Sequence, residues 1–293
     1  MKTSEASSSV VDEAACGMSR TMHERRSSRA GWSRVESPPF ALDVLEVTDT
    51  QARTWSFVWP GRIAIQPLRS GVASHCDGGP QPLRVGSALC AADNAARLII
   101  STQPGAAFRV MFETRAVAPA GSSSRVHLPG VCESVSPGEP SAAFEQAMAQ
   151  LASHSSTLEL PTPVARARAY IERHLGDAFS LAAMSADAGS DRCHLCRSFG
   201  RLMGLTPYRY RMHMRVAHAR LLFSAGHDCT HAAYATGFCD QSHLNRCFKA
   251  QTGTTPNSYM RACGQAHAPA LAMANPTRDA ERFAMSTVDC VTL

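Results

Sequence analysis

The stretch DQSHLNRCFKAQTGTTPNSY, residues 240–259, repeats an earlier stretch of the same chain, DRCHLCRSFGRLMGLTPYRY, residues 191–210. The two align without a gap, and they agree at positions that can start, pack and end a helix. The identical pairs are Asp191/Asp240, His194/His243, Leu195/Leu244, Arg197/Arg246, Phe199/Phe248, Gly204/Gly253, Thr206/Thr255, Pro207/Pro256 and Tyr210/Tyr259. The chain therefore contains a duplicated unit.

Each copy has the residues of a complete amphipathic helix. The Asp can cap the first turn, Leu and Phe lie four residues apart on one face, and the Gly can end the helix before a Thr-Pro start of the next one. Arg197 and Arg246 follow the Leu by two residues, about 200° around the helix, and so should point away from the core. They could face a DNA groove, or they could be solvated arginines of an ordinary helical bundle.

The residues before each copy favour the DNA-binding interpretation. Ser180 can cap a short helix that ends at Gly189, and Asp228 can cap another that ends at Gly237. A short helix, a glycine turn and a longer helix make a helix-turn-helix, which this chain would contain twice. Residues 207–224 predict one continuous helix between the units, roughly 27 Å long. That length approaches the ~34 Å between successive major-groove faces on one side of DNA.

These residues resemble a known family of regulators. The stretch ATGFCDQSHLNRCFKAQTGTTPNSY (235–259), with ARAYIERHL, SLAAMSADAGSDRCHLCRSFGRLMGLTPYRY and RVAHARLLFSAG upstream, resembles the AraC/XylS-type transcriptional regulators over about residues 163–263. The resemblance implies a seven-helix DNA-binding domain whose third and sixth helices enter adjacent major grooves of double-stranded DNA. It also implies an activator that works with RNA polymerase and binds paired sites as a homodimer.

Carried over from the resemblance, eight residues are candidates to face the bases. They are Arg192, Cys193, Cys196 and Arg197 in the first copy, and Gln241, Ser242, His243 and Arg246 in the second. Arg can bind guanine, and Gln can bind adenine, through two hydrogen bonds each. Specificity should therefore depend most on Arg197, Gln241 and Arg246, with a phosphate contact as the alternative for Arg246.

The sequence departs from the family's pattern at a few positions. The second short helix has Cys229 and Ala232 where two isoleucines are usual, and the first has Ser185 where a small apolar residue is usual. Smaller side chains bury less apolar surface, so these changes should lower the stability of the domain rather than alter its function. Cys193 and Cys196 are unusual choices at base-facing positions.

The charge distribution agrees with a DNA-binding domain. Residues 163–263 contain 13 Lys and Arg against 6 Asp and Glu, whereas the rest of the chain contains 16 against 18. Positive charge is thus concentrated where a duplex would bind, as release of counterions from DNA requires.

The two ends of the chain have little pattern. Residues 1–36 are rich in Ser, Arg and small residues and predict a disordered leader, and residues 264–293 predict a flexible tail. The sequence has no apolar run long enough for a signal peptide or a membrane span. We therefore expect a cytoplasmic protein that does not contact a membrane.

Residues 37–158 have the character of a β-domain, so the predicted fold class is α+β with two domains. Short alternating runs such as FALDVLEV, TWSFVW, RIAIQPL, RLIIS and FRVMF are broken by Gly and Pro turns, which favours a compact barrel or sandwich. The segment PLRVGSALCAAD resembles the turn of cupin-like sensor domains, which implies a cupin-like β-barrel that binds a small-molecule effector. A helix from Ser141 to about His154 could pair two subunits or pack on the barrel.

An enzyme is the least favoured interpretation. A metal-dependent barrel enzyme needs clustered histidines with a carboxylate, and His75 and His127 stand apart in the sequence. Cys193 and Cys196 form one CxxC without a second pair for zinc, so they are expected to be inert or, alternatively, a thiol switch. We expect no catalytic residue, metal or cofactor. The favoured function is therefore a transcription regulator that responds to a small-molecule effector. The alternatives are a DNA-binding regulator whose barrel only dimerises and a barrel enzyme tethered to DNA.

Overall fold

The chain folds into an N-terminal β-domain followed by a C-terminal helical domain, as the α+β prediction requires. The computed structural model describes residues 28–38, 40–76, 79–92, 98–114, 125–154 and 157–263. Residues 1–27 of the predicted leader and the predicted tail, 264–293, lie outside the described residues. No helix in the described ranges combines the length and the apolarity that crossing a membrane needs.

The β-domain begins earlier than the sequence indicated. Strand β1, Ser28–Ser37, lies almost entirely within the predicted leader and pairs along its full length with β2, Phe40–Asp49. Trp32 is its one fully buried side chain, so β1 has no apolar periodicity to reveal it. The strand forms because its backbone completes the ladder of β2, and the predicted boundary at residue 37 is therefore wrong by nine residues.

Two antiparallel sheets face each other in the β-domain. The larger has the order β1-β2-β9-β4-β7-β11 and the smaller has the order β3-β8-β5-β6. The added strands of the larger sheet are β4 Ile63–Pro67, β7 Ala88–Ala91, β9 Ala107–Glu113 and β11 Gly130–Cys132. The smaller sheet consists of β3 Arg53–Phe57, β5 Val72–Cys76, β6 Gly79–Leu83 and β8 Leu98–Thr102. Strands β10 Arg125–His127 and β12 Thr157–Glu159 form a separate two-stranded sheet.

The five quoted runs all form strands, namely β2, β3, β4, β8 and β9. In the described residues the two sheets do not close into a barrel, so the sandwich is the better description of the predicted β-domain.

The larger sheet is buried on both faces. Side chains alternate along β2, so Leu45 and Val47 face the smaller sheet, whereas Leu42 and Val44 face the other side. That outer face is covered by α1, Pro140–His154, through apolar side chains that include Phe144, Met148 and Leu151. Of the two alternatives for this helix, the structure shows packing on the sheet.

Seven helices form the described part of the C-terminal domain. They are α2 Thr162–Arg173, α3 Leu181–Ala188, α4 Arg192–Met203, α5 Pro207–Ser224, α6 Cys229–Ala235, α7 Gln241–Thr252 and α8 Pro256–Ala262. We call residues 181–210 unit 1 and residues 229–259 unit 2. The predicted linking helix has the predicted ends, Pro207 and Ser224.

The linking helix α5 is more than a spacer. It is buried around most of its circumference, because both units and the β-domain pack against it. The core of unit 2 is continuous with the core between the sheets. The core of unit 1 is separate and takes Val58, Val126 and Leu160 from outside the helical bundle.

Candidate nucleic-acid interface

Helix α4 has its buried face and its ends fixed by the predicted residues. The Asp191 carboxylate accepts hydrogen bonds from the backbone N–H groups of Cys193 and His194, at 2.8 and 3.1 Å. These backbone hydrogen bonds, first that from His194, lower the pKa of Asp191. Leu195, Phe199 and Met203 are buried, and Gly204 ends the helix in the left-handed conformation at φ 64°. The opposite face of α4 is left free to meet a partner.

Helix α7 repeats this arrangement in unit 2. Asp240 accepts from the backbone N–H of His243 at 2.6 Å, and Gly253 ends the helix at φ 78°. Leu244 and Phe248 are buried on its inner face. The duplication in sequence is thus a duplication of helix ends and packing, so the two outer faces lie at equivalent positions in their units.

The turn before α7 needs a glycine for two reasons. Gly237 has φ 75°, and a Cβ at this position would lie 2.3 Å from the backbone oxygen of Gly176. The N–H of Gly237 donates to the backbone oxygen of Tyr234, and the N–H of Phe238 donates to the backbone oxygen of Ala233. These two hydrogen bonds close α6. The close backbone contact with Gly176 fixes unit 2 against the loop that follows α2.

The structure places the predicted base-facing residues on these two free faces. Six are exposed: Arg192, Cys193 and Arg197 on α4, and Gln241, Ser242 and Arg246 on α7. Cys196 and His243 are half-buried. Their exposure makes base contacts possible, and these contacts stay predictions.

His243 is partly engaged on the protein side. Its Nδ1 lies 3.3 Å from the Sγ of Cys239, and its ring packs edge-to-face on Phe238 at 5.1 Å between centroids. Burial, followed by the charge of Arg246, lowers the pKa of the His243 imidazole. The ring therefore has less freedom to reach a base than its neighbours on α7.

Asn245 is a surface residue that the sequence analysis missed. It is exposed on α7, four residues after Gln241, and so lies on the same helix face. At the offset of 49 residues, Asn245 corresponds to Cys196, which was a candidate. His243, also a candidate, corresponds to His194, which was not. The repeat itself was therefore the signal that could have found Asn245.

The cysteines of this surface are free thiols. Within the described ranges no group of three or more His, Cys, Asp or Glu side chains could hold a metal ion. His75 is exposed, and the side chain of His127 lies outside what the structure describes.

Helices α4 and α7 are both capped, both end at a glycine and both expose a polar face, and the buried helix α5 joins them. This arrangement defines a double helix-turn-helix DNA-binding domain. The helix-turn-helix domain family matches residues 184–262. A curated relative, the uncharacterized HTH-type transcriptional regulator YbfI of Bacillus subtilis (strain 168), is 36% identical over 75 residues. That match covers 26% of this chain and 27% of the relative, so it spans about a quarter of each protein.

The chain is also similar to several solved structures. ToxT from Vibrio cholerae O395 aligns over 80% of this chain and 98% of its own, with 12% identity and a TM-score of 0.45. The DNA-binding domain of AdpA, solved with a target DNA, aligns over 35% of this chain and 93% of its own, with 27% identity and a TM-score of 0.33. A probable AraC family regulator from Rhodopseudomonas palustris CGA009 aligns over 35% of this chain and 99% of its own, with 25% identity and a TM-score of 0.32.

The prediction of an AraC/XylS-type DNA-binding domain is confirmed by the matched family and by the observed helices. The domain has seven helices, and its third and sixth, α4 and α7, are the second helices of the two helix-turn-helix units, as the resemblance implied.

Proposed function

We propose that the protein is a sequence-specific transcription regulator that reads double-stranded DNA with α4 and α7. The observation that carries this proposal is the equivalence of the two helices. Each has the same cap, the same buried Leu and Phe, and an exposed polar face. Such a duplicated surface suits a ligand that itself repeats, as successive turns of a duplex do.

The exposed side chains suit direct reading of base edges. Arg197 and Arg246 can each bind guanine through two hydrogen bonds, and Gln241 and Asn245 can do the same with adenine. Other exposed cations beside them, such as Arg201 and Lys249, are suited to the phosphates. Binding should therefore combine a salt-dependent part with a sequence-dependent part.

Selection from a pool of random duplexes tests this proposal. The full chain should enrich one sequence with two unlike half-sites about one helical turn apart, and its affinity should fall as salt rises. Recovery of sequences no different from the starting pool would contradict sequence-specific reading. Genome-wide mapping of bound sites would then identify the genes under control.

The regulatory part of the proposal follows the family resemblance. The protein would act in the cytoplasm as an activator, as a homodimer on paired sites and together with RNA polymerase, in response to a small-molecule effector. A small crevice lies where the two domains meet, and an effector that binds there would have to widen it. Side chains of both domains line it, including Trp32, Phe57 and Phe112 from the β-domain and Val216, Arg220 and Gln251 from the helical domain.

A regulator without an effector is a second candidate. The space between the sheets is filled by large side chains, including Trp55, Phe57, Phe108 and Phe112, whose rings contact one another. A filled interior favours a β-domain with a structural role only.

Ala217 offers a way to distinguish the two candidates, because it lines the crevice. The expression of a reporter gene at a mapped target would be measured across growth media for two variants. Ala217→Leu narrows the crevice, and Ala217→Ser is the control, because Ser is close to Ala in size. A ligand-responsive protein should lose its response in the Leu variant alone. A reporter that never varies in the parent would support the second candidate.

A further inference from the structure

The two units bury equivalent tyrosines that need a hydrogen-bond acceptor. Tyr210 closes unit 1 and Tyr259 closes unit 2, and both are fully buried. Tyr210 packs edge-to-face on Phe199 at 5.6 Å, and Tyr259 packs in the same way on Phe248 at 5.5 Å. A buried hydroxyl without a partner is destabilising, so each ring must find an acceptor nearby.

Unit 1 finds its acceptor within the helical domain. The Tyr210 hydroxyl donates to Glu172 at 3.0 Å, and the Nε of Arg168 donates to the same carboxylate at 2.8 Å. Both partners belong to α2. Burial and the Glu172 carboxylate raise the pKa of Tyr210, which keeps the hydroxyl protonated as a donor.

Unit 2 finds the same arrangement in the other domain. The Tyr259 hydroxyl donates to Asp43, and Arg34 donates to that carboxylate from Nε and Nη2 at 3.0 and 2.7 Å. Arg34 and Asp43 lie directly opposite each other on β1 and β2. Burial and the Asp43 carboxylate raise the pKa of Tyr259. Unit 2 thus repeats the tyrosine, carboxylate and arginine of unit 1, but its carboxylate and arginine belong to the β-domain.

The stretch from α5 to α8 has no spare carboxylate for unit 2. Between residues 207 and 263 the sequence contains two acidic residues, Asp228 and Asp240. Each of them caps the helix that follows it. The carboxylate that Tyr259 binds must therefore come from outside this part of the chain.

A buried arginine adds to this dependence. Arg220 of α5 is 4% exposed, and its guanidinium carbon lies 3.9 Å from the ring centroid of Phe112, 4.4 Å from that of Trp59 and 4.6 Å from that of Trp32. Its Nη2 lies 3.6 Å from Asp43. All four partners belong to the β-domain, so the charge of Arg220 is compensated across the domain interface.

We propose that Asp43 is a positioning residue for the second DNA-reading helix, so that unit 2 depends on the docked β-domain for the acceptor of its buried tyrosine, whereas unit 1 takes the equivalent acceptor from the helical domain. Asp43 holds Tyr259, and Tyr259 packs on Phe248 of α7. Unit 1 carries the equivalent pair, Arg168 and Glu172, on its own α2. The inference rests on the proposed DNA-binding function.

Two matched tyrosine variants test the inference in the full chain. The probe is a duplex selected by the parent from a random pool, with its half-sites assigned by Arg197→Ala and Arg246→Ala. Tyr259→Phe should weaken protection of the unit 2 half-site in footprinting by about tenfold, the order expected for loss of a hydrogen bond to a charged group. Tyr210→Phe should weaken the unit 1 half-site instead.

Matched carboxylate variants extend the test. Asp43→Asn should weaken the unit 2 half-site more than Tyr259→Phe does, because it also leaves Arg34 and Arg220 without a buried countercharge. Glu172→Gln should affect the unit 1 half-site. If Asp43→Asn does not yield folded protein, Tyr259→Phe decides the question, because it leaves the Arg34–Asp43 pair intact.

Thiol labelling supplies a readout that does not depend on DNA. Cys263 is buried near Asp43, and burial together with this carboxylate raises its pKa to about 12, so it should react slowly with iodoacetamide in the parent. Tyr259→Phe keeps the Asp43 charge, so faster labelling of Cys263 in this variant, located by mass spectrometry, would report loosened packing of α8, while the exposed Cys193 of α4 should keep its rate.

The outcomes separate the two proposals. If the parent selects no sequence, the proposed DNA-reading function is wrong. If the parent protects both half-sites, and Asp43→Asn and Tyr259→Phe weaken both equally or neither, Asp43 does not position unit 2. An unchanged Cys263 rate in Tyr259→Phe would also overturn the inference.

Discussion

At the scale of single residues, the duplicated positions divide into those that pack and those that face outward. Leu195 and Phe199 are buried, as are Leu244 and Phe248. This division was predictable, because a period of 3.6 residues assigns each position of a capped helix to a face. The outward positions that face a partner were not predictable from this period alone, and Asn245 was not among the candidates that the resemblance supplied.

The outward arginines should carry much of the specificity. Arg197→Ala and Arg246→Ala should each weaken specific binding by ~1 to 3 kcal/mol while sparing most nonspecific binding, because each removes a two-bond contact to a base. Competition binding with selected and random duplexes measures the specific and the nonspecific affinity. Arg84→Ala, an exposed arginine of the β-domain, is the control. An equal loss on both duplexes would assign the arginine to a phosphate.

Asn245 should matter more than His243 for specificity. Asn245→Ala should relax the preference at one base position of the unit 2 half-site by ~1 to 3 kcal/mol, because an amide can read adenine. His243→Ala should have a smaller effect, because its ring is held by Cys239 and Phe238. Affinities for single-base variants of the selected duplex check this. A larger effect of His243→Ala would reverse the assignment.

At the scale of elements, the helices were predictable and one strand was not. The caps Asp191 and Asp240 accept the expected backbone hydrogen bonds, so local signals were sufficient for α4 and α7. Strand β1 depends on pairing with β2, a tertiary contact that its own polar sequence does not encode. Cys229 and Ala232 are buried in unit 2. They are smaller than the isoleucines usual at these positions, and they were expected to weaken its packing.

The turn of unit 2 should be sensitive to any side chain at Gly237. Gly237→Ala should lower the free energy of unfolding by more than about 1 kcal/mol, because the positive φ is compounded by a clash with the Gly176 backbone. Gly226→Ala is the matched control, since Gly226 has φ 90° but open space around its Cα. Denaturant unfolding compares them. Equal losses would show that backbone conformation alone accounts for the effect.

At the scale of the whole molecule, the sequence indicated two domains without indicating how they meet. No local pattern joins Asp43 to Tyr259, although the structure places them in direct contact across the domain interface. The helical character of residues 207–224 was visible, yet the burial of this helix on most sides could not be inferred because its partners lie far away in the sequence. Fold class follows from local patterns, whereas the domain interface follows from long-range packing.

The central claim is that α4 and α7 are held at a fixed separation by α5 and read one duplex together. Its most direct test is the affinity of the full chain for the selected duplex after insertion of five or ten base pairs, about half and one helical turn, between the half-sites. We predict that both insertions reduce binding to that of a duplex with a single half-site, because the buried α5 cannot lengthen. Parental affinity after the ten-base-pair insertion would contradict the claim.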